Sequence, residues 1–308
     1  MRPHSENPLS PMNGGERGQG VRGSVSVIIP AYNAADTIAQ AIQSALLQSP
    51  APIEVIVADD GSLDRTADVA EQAGAKVLRL SHANGSVARN RGTEAAAGEI
   101  LFFLDADDWW KPGKIAAHLK VWEADDPSFV IDPSTIVKNG VDAPGRLLGA
   151  GCQGPVAWED FLEWTTWTGG SSFSVRRDRY QSILGFNESL ISQQDVDFWI
   201  RAAHMHGPAY RLAESFTFYR LSPGGISKRP RNVAMNLETL LESWSFASER
   251  QKYDFFVQLT LTAAGFSRIP ESLKYFHLAG WPLWKGKFYR ALARSILETA
   301  RRRHRDAA

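Results

Sequence analysis

The sequence predicts an α/β fold with a mostly parallel central sheet flanked by helices, and two observations carry that expectation. From Val25 to about residue 125, short apolar runs rich in β-branched residues alternate with segments of helical periodicity, the order that a helix-covered parallel sheet requires. The apolar runs are also nearly continuous, as in strands buried on both faces.

Each element follows from its own residues. Val25-Ser26-Val27-Ile28-Ile29 reads as a strand ended by Pro30. Asp36 then precedes Ile38, Ala41, Ile42, Ala45 and Leu46, whose three-and-four spacing marks an amphipathic helix. The second strand is Val55-Ile56-Val57-Ala58, ending in Asp59-Asp60-Gly61-Ser62. A second helix is expected from Asp64 as its cap to about Gly74. A strand over Lys76–Leu80, a helix over about Val87–Ala97 and the strand Ile100–Leu104 complete the series. Beyond residue 125 the pattern is weaker. A short strand followed by Gly- and Pro-rich loops is expected over Asp126–Gly154, an aromatic segment over Trp158–Trp167, and a strand over Ser171–Val175. A helix follows from Asp197 to His206, stopped by Gly207-Pro208, and the chain reads as helical from about Asn232.

Composition bounds the function. The 308 residues are 44% hydrophobic and 22% charged, as in an ordinary folded soluble protein. Lys+Arg and Asp+Glu both number 34, a net charge of zero, which argues against a nucleic-acid binder and for no nucleic-acid partner. A single cysteine, Cys152, excludes an intrachain disulfide and points to a reducing, cytoplasmic setting. No apolar run reaches the roughly 18 residues of a membrane span. Residues 1–23 carry Pro3, Pro8, Pro11 and five glycines from Gly14 to Gly23, and are expected to be a disordered tail rather than a signal peptide.

Three polar clusters follow strand ends: Pro30-Ala31-Tyr32-Asn33, Asp59-Asp60-Gly61-Ser62 and Asp105-Ala106-Asp107-Asp108. In open α/β sheets that edge is where ligands bind. Asp105 and Asp107 are two apart on a segment expected to be extended, so their carboxylates should share a side. Paired hard oxygen ligands suit Mg²⁺ or Mn²⁺, with water and phosphate completing the shell. Asp108 is expected to begin the next turn, and Pro112 to stand at the first position of the following helix.

These motifs, with Gly169-Gly170-Ser171-Ser172, Gly185-Phe186, Gln194-Asp195 and Phe218-Tyr219-Arg220, make the chain similar to family 2 glycosyltransferases of GT-A fold over residues 24–228. The resemblance implies a catalytic domain with a nucleotide-binding half at about 24–125 and an acceptor half at about 126–228, followed by a helical extension over 229–308. It further implies inverting transfer of a sugar from a nucleotide-diphosphate sugar, most often a UDP-sugar, to an acceptor hydroxyl. The acceptor would be a saccharide or a lipid-linked saccharide, as in polysaccharide or glycoconjugate assembly. Carried over by position, Pro30 and Tyr32 lie against the nucleoside, Asp60 bonds the base and Arg89 helps hold the nucleotide. Asp105 and Asp107 bind Mn²⁺ or Mg²⁺ and the donor, Arg220 approaches the diphosphate, and Asp195 is the general base. Gln194 stands where relatives often have Glu, and Ser222 where they often have His. Asp197 competes for the role of base but is expected to face away or cap.

Other classes and signals weigh less. Nucleotidyl transfer also uses paired carboxylates but needs a Gly-rich basic loop that Ala31-Tyr32-Asn33-Ala34 lacks; a non-catalytic nucleotide-sugar binding module is the other alternative. Gly149–Gly154 matches a dinucleotide fingerprint, yet Pro155 follows directly and the required strand–turn–helix context is missing. His204-Met205-His206 reads as surface chemistry, and Trp164 and Trp167 as either core packing or an acceptor wall. From Lys285 to the end there are eight Lys/Arg against Glu298 and Asp306, with Phe288, Leu292 and Ile296 every four residues. Such a basic amphipathic helix suits peripheral contact with an anionic membrane face, or equally a packed helix with a solvated tail.

Overall fold

A computed structural model describes residues 23–138, 141–162, 168–221, 237–248, 250–252 and 255. The N-terminal alternation folds as β1 (Val25–Ala31), α1 (Ile38–Leu46), β2 (Glu54–Asp59), α2 (Thr66–Gln72), β3 (Lys76–Arg79), α3 (Gly85–Glu94) and β4 (Ile100–Phe103). The strands pair in parallel in the order β3-β2-β1-β4. Their side chains alternate between two cores. Ile28, Ile56, Leu101 and Phe103 enter one, while Val27, Ile29, Val55, Val57, Ile100 and Phe102 join Ile38, Ala41, Ile42 and Ala45 of α1 in the other. Burial on both faces is why these strands read as near-continuous apolar runs. Helix α3 starts at Gly85 rather than Val87 because the Asn84 side chain accepts from the N–H groups of Ser86 and Val87. It lies so close to β1 that a Cβ on Gly92 would stand 2.6 Å from a methyl of Ile28.

The second half comprises β5 (Trp109–Trp110), α4 (Lys114–Ala124), β6 (Val130–Ile131), β7 (Ser134–Lys138), β8 (Val141–Leu148), β9 (Gly154–Val156), β10 (Phe173–Arg176), α5 (Arg177–Ser182), α6 (Gln194–His206), β11 (Ala209–Arg211), β12 (Thr217–Arg220) and α7 (Leu237–Ser243). Strands β10, β6, β11 and β9 extend the first sheet to eight strands. Strand β10 runs antiparallel to β4 and β6, and β9 antiparallel to β11, so the expected parallel character holds for the first four strands and gives way to mixed pairing beyond. The chain re-enters the sheet beside the C-terminal end of β4, where the Asp105 N–H donates to Ser171 Oγ, and β10 must therefore run back.

A second, four-stranded sheet has the order β5-β12-β7-β8. Loops were expected over much of this stretch, but β7 and β8 pair antiparallel; Pro144 and Gly145 are accommodated because β8 is an edge strand. Other boundaries shift by local chemistry. Gly113, at φ 91°, precedes α4, so that helix begins at Lys114 and Pro112 lies outside it. The strand expected from Ser171 begins at Phe173 after a 3-10 turn, and α6 begins at Gln194 rather than Asp197.

A buried polar cluster sits at two of the places where the chain passes between the sheets, from β6 to β7 and from β11 to β12. Asp132, fully buried, pairs with Lys114 and His118 of α4 and accepts from Phe216 N and Thr217 Oγ1, each at 2.9 Å. Burial and the Lys114 charge push His118 down to about 4, so the ring is neutral. Its partners assign the tautomer: Trp122 Nε1–H donates to Ser174 Oγ, that hydroxyl donates to His118 Nδ1, and Nε2–H donates to Asp132. Leu240 and Trp244 of the α7 region and Phe255 join the core that holds α6. Trp164, Trp167, Ser222 and the basic stretch from Lys285 lie outside the described residues, and no helix among the described residues is long and apolar enough to cross a membrane.

Candidate active site

The C-terminal ends of β1, β2 and β4 are adjacent, so the three polar clusters do meet at one sheet edge. The first two are stitched together by main-chain donors and short side chains. Asp60 N–H donates to Ala31 O at 2.8 Å, Asn33 N–H to Ser62 Oγ at 2.9 Å and Ala34 N–H to Thr66 Oγ1 at 2.7 Å. Leu63 N–H donates to Asn33 Oδ1 at 2.8 Å, and Asn33 itself is left-handed at φ 49°, a conformation Asn tolerates. Asp59 accepts from the Ser62 hydroxyl, and Pro30 is half-buried beside it on the edge.

Asp60 is buried and Tyr32 half-exposed. One Asp60 oxygen accepts from Ala83 N–H at 2.8 Å, and the other faces His82 Nδ1 at 3.0 Å. The His82 ring stacks on Tyr32 with centroids 4.2 Å apart. Gly61, at φ 72°, is required between them, because a Cβ there would stand 2.8 Å from His82 N.

The Asp105–Asp108 segment departs from expectation. It is a turn, closed by Asp108 N–H to Asp105 O at 3.1 Å, not an extended strand whose carboxylates align by twos. The physical reason is Asp108. Its carboxylate is buried and takes the Ser171 hydroxyl at 2.5 Å and the Arg220 N–H at 2.8 Å, pulling the chain inward. Burial first, then the charges of Asp107 and Asp105, push the Asp108 carboxyl well above the usual range. Asp105 and Asp107 stay half-exposed. Arg220 wraps the turn: Nε–H donates to Asp107 O at 2.8 Å, a second N–H to Gln40 at 2.7 Å, and the guanidinium lies 4.8 Å from the Trp109 ring centre.

Arg89 joins this turn to the second half. It donates to Asp105 at 2.6 Å and to Gln194 Oε1 at 2.8 Å, with its guanidinium 5.3 Å from the Phe186 ring centre. The neutral Gln194 thus keeps the bond to Arg89 while leaving the positive charge to Asp105 and Asp195. Gly170 borders the pair; a Cβ there would stand 3.3 Å from the Asp105 carboxylate. Asp195, in the first turn of α6, has its carboxyl raised to about 6 by burial, with Arg89 opposing and Asp105 reinforcing the rise. Asp197 is fully buried and bound by Arg201 and by Trp244 Nε1–H, as its expected turning away requires. His206 meets Ser182 and His204 stacks on Phe246.

The structure therefore brings Asp105, Arg89, Gln194 and Asp195 into one constellation, with Tyr32 and Asp60 along the same edge. Sequence reasoning missed three contributors. Ser171 and Asp108 form the buried link that shapes the turn, and no local pattern announces it. His82 could have been found, because it follows β3 at the same sheet edge as the other clusters.

The model of Glycosyl transferase family 2 matches residues 26–180. Among curated proteins, the chain is 31% identical over 215 residues to the amylovoran biosynthesis glycosyltransferase AmsB of Erwinia amylovora, covering 64% of this chain and 70% of AmsB. It is 38% identical over 153 residues to the uncharacterized glycosyltransferase alr2836 of Nostoc, where the match covers 48% of this chain and about half, 47%, of the relative. A shorter match, 36% identical over 109 residues, covers 34% of this chain and 43% of the Escherichia coli UDP-Glc:alpha-D-GlcNAc-diphosphoundecaprenol beta-1,3-glucosyltransferase WfaP. Among solved structures, S. aureus TarS 1–349 in complex with UDP-GlcNAc superposes with a TM-score of 0.60 at 18% identity, covering 90% of this chain and 80% of TarS. That likeness shows a shared fold. With half of its length matched by the family model and AmsB aligned over more than two thirds of its own, the chain belongs to glycosyl transferase family 2.

Proposed function

We propose that the chain transfers a sugar, with inversion, from a UDP-sugar to a hydroxyl of a saccharide or lipid-linked saccharide acceptor during polysaccharide assembly. The observation that carries this reading is the Asp105–Arg89–Asp195 constellation: a cation paired with Asp105 whose charge also reaches Asp195, itself raised to about 6 by burial. A general base works best with its pKa near the operating pH. The UDP-GlcNAc complex of TarS, and the UDP-glucose donor and diphosphoundecaprenol-linked acceptor in WfaP's name, support the choice of donor and acceptor.

In this mechanism Asp195 takes the proton of the acceptor hydroxyl as its oxygen attacks the anomeric carbon. The attack comes from the face opposite the diphosphate, so the carbon–oxygen bond to the leaving group breaks as the new one forms. Tyr32 and Pro30 lie against the nucleoside, Asp60 bonds the base, and Arg89 and Arg220 hold the diphosphate side. A divalent cation fits Asp105 and Asp107: both are half-exposed hard oxygen donors on one turn. Among the described residues no third acidic or imidazole ligand gathers with them, as suits Mg²⁺ or Mn²⁺ completed by phosphate and water. When bound, the ion offsets the charge developing on the leaving diphosphate.

Calorimetric titration with UDP, GDP and dTDP, each with and without Mn²⁺, tests the donor half. Mn²⁺-dependent binding of UDP that disappears in Asp105→Asn is expected; failure of all three nucleotides to bind would overturn the proposal. The same variant binding UDP with unchanged Mn²⁺ dependence would remove the metal from Asp105.

A further inference from the structure

Under the function proposed above, on which this inference rests, Tyr32 and Asp60 receive the nucleobase, yet a side chain of the chain itself makes both contacts. The His82 ring lies on Tyr32 with centroids 4.2 Å apart and planes at 21°. Its Nδ1 stands 3.0 Å from the Asp60 carboxylate and 3.0 Å from the Asp60 carbonyl. Both partners accept, so Nδ1 carries the proton. An aromatic stack plus an N–H bonded to a carboxylate are the contacts a uracil ring would use at the same two residues. At 4.2 Å no second ring fits between Tyr32 and His82.

We propose that His82 is an internal competitor for the nucleobase: the donor's base takes the Tyr32 face and the Asp60 oxygen only when the imidazole leaves them, so His82 sets the apparent affinity for the donor nucleotide. The surroundings permit that exchange. The His82 side chain is 55% exposed, so rotation about its own bonds carries the ring into solvent. The main chain stays anchored meanwhile, because Ala83 N–H donates to the other Asp60 oxygen at 2.8 Å and Gly61 packs against His82 N. The departing ring therefore vacates one Asp60 oxygen, which is left as an acceptor for a base N–H, without disturbing the loop.

A binding-competent state populated in one molecule of ten weakens apparent affinity about tenfold. His82→Ala is accordingly expected to bind UDP, in the presence of Mn²⁺, about tenfold more tightly than the natural chain by calorimetry. A second readout is spectroscopic. The imidazole proton signal missing from the His82→Ala spectrum is expected to carry a ring-current shift from Tyr32 and to lose it when the natural chain is saturated with UDP. Unchanged or weaker UDP binding by His82→Ala, which would make His82 a bystander or a wall of the base site, overturns the proposal; so does an imidazole signal that does not move. If neither chain binds UDP, GDP or dTDP, the proposed function itself fails and this inference with it.

Discussion

Asp132→Asn tests how the two sheets are held in register beneath the site. The carboxylate is fully buried and serves Lys114, His118, Phe216 N and Thr217 Oγ1 at once. It lies where β6 leaves the first sheet and beside the residues where β12 enters the second, so it ties the sheet edge bearing Asp60 and Asp105 to the sheet bearing Arg220. Asparagine keeps the shape but leaves the Lys114 charge unpaired and turns an amide N–H₂ toward other donors. Breaking a buried pair by removing one partner costs about 3–5 kcal/mol. At about 2–4 °C per kcal/mol for a large domain, the expected fall in Tm is roughly 10 °C, read by tryptophan fluorescence on heating. The sign of the pH dependence is also determined. Burial lowers the Lys114 pKa even with Asp132 beside it, and loss of the carboxylate lowers it further. Between the lowered folded-state pKa of Lys114 and the unfolded value of about 10.4, the unfolded chain holds a proton that the folded one has lost, so stability rises with pH across that interval. The deficit of Asp132→Asn should therefore shrink as pH is raised into that interval, and Lys114→Met/Asp132→Leu should recover much of it. A loss below about 1 kcal/mol, or a deficit indifferent to pH, would refute the reasoning.

Two further outcomes concern the proposed chemistry. Asp195→Asn is expected to lower transfer by about 10²–10⁴-fold while leaving UDP affinity near that of the natural chain. Because the Asp195 carboxyl is raised to about 6 and must be ionised to accept a proton, kcat/KM of the natural chain should rise with pH through that value and then level; full transfer by the variant would reassign the base. Ser171→Ala removes the hydroxyl shared by Asp105 N–H and the Asp108 carboxylate, which should cost about 1–3 kcal/mol of stability. Transfer should fall further than the melting curve alone accounts for, and natural rates at natural stability would show that the turn holds its shape without it.

The sequence by itself determined the parallel half of the fold and the edge where the site lies. Strands buried on both faces must be apolar along their whole length, α1 must carry its three-and-four stripe, and loops beyond the strand ends converge by topology; all of these are local or periodic signals. It also named Asp105, Asp60, Arg89 and Asp195 as candidates, and in the structure Arg89 donates to Asp105 at 2.6 Å while both charges act on Asp195. Only the tertiary structure decided the rest. Asp105 and Asp107 were read as an extended pair because nothing local reveals that Asp108 is drawn inward by Ser171 and Arg220, 63 and 112 residues away. Strand β8 was hidden because an edge strand tolerates the glycine and proline that signal loops. Lys114 looked like an ordinary charge in a first helical turn until Asp132 and Thr217, 18 and 103 residues on, closed around it. A buried charge is stable only through its partners, and those partners are chosen by the packing of distant elements, which no window of sequence contains.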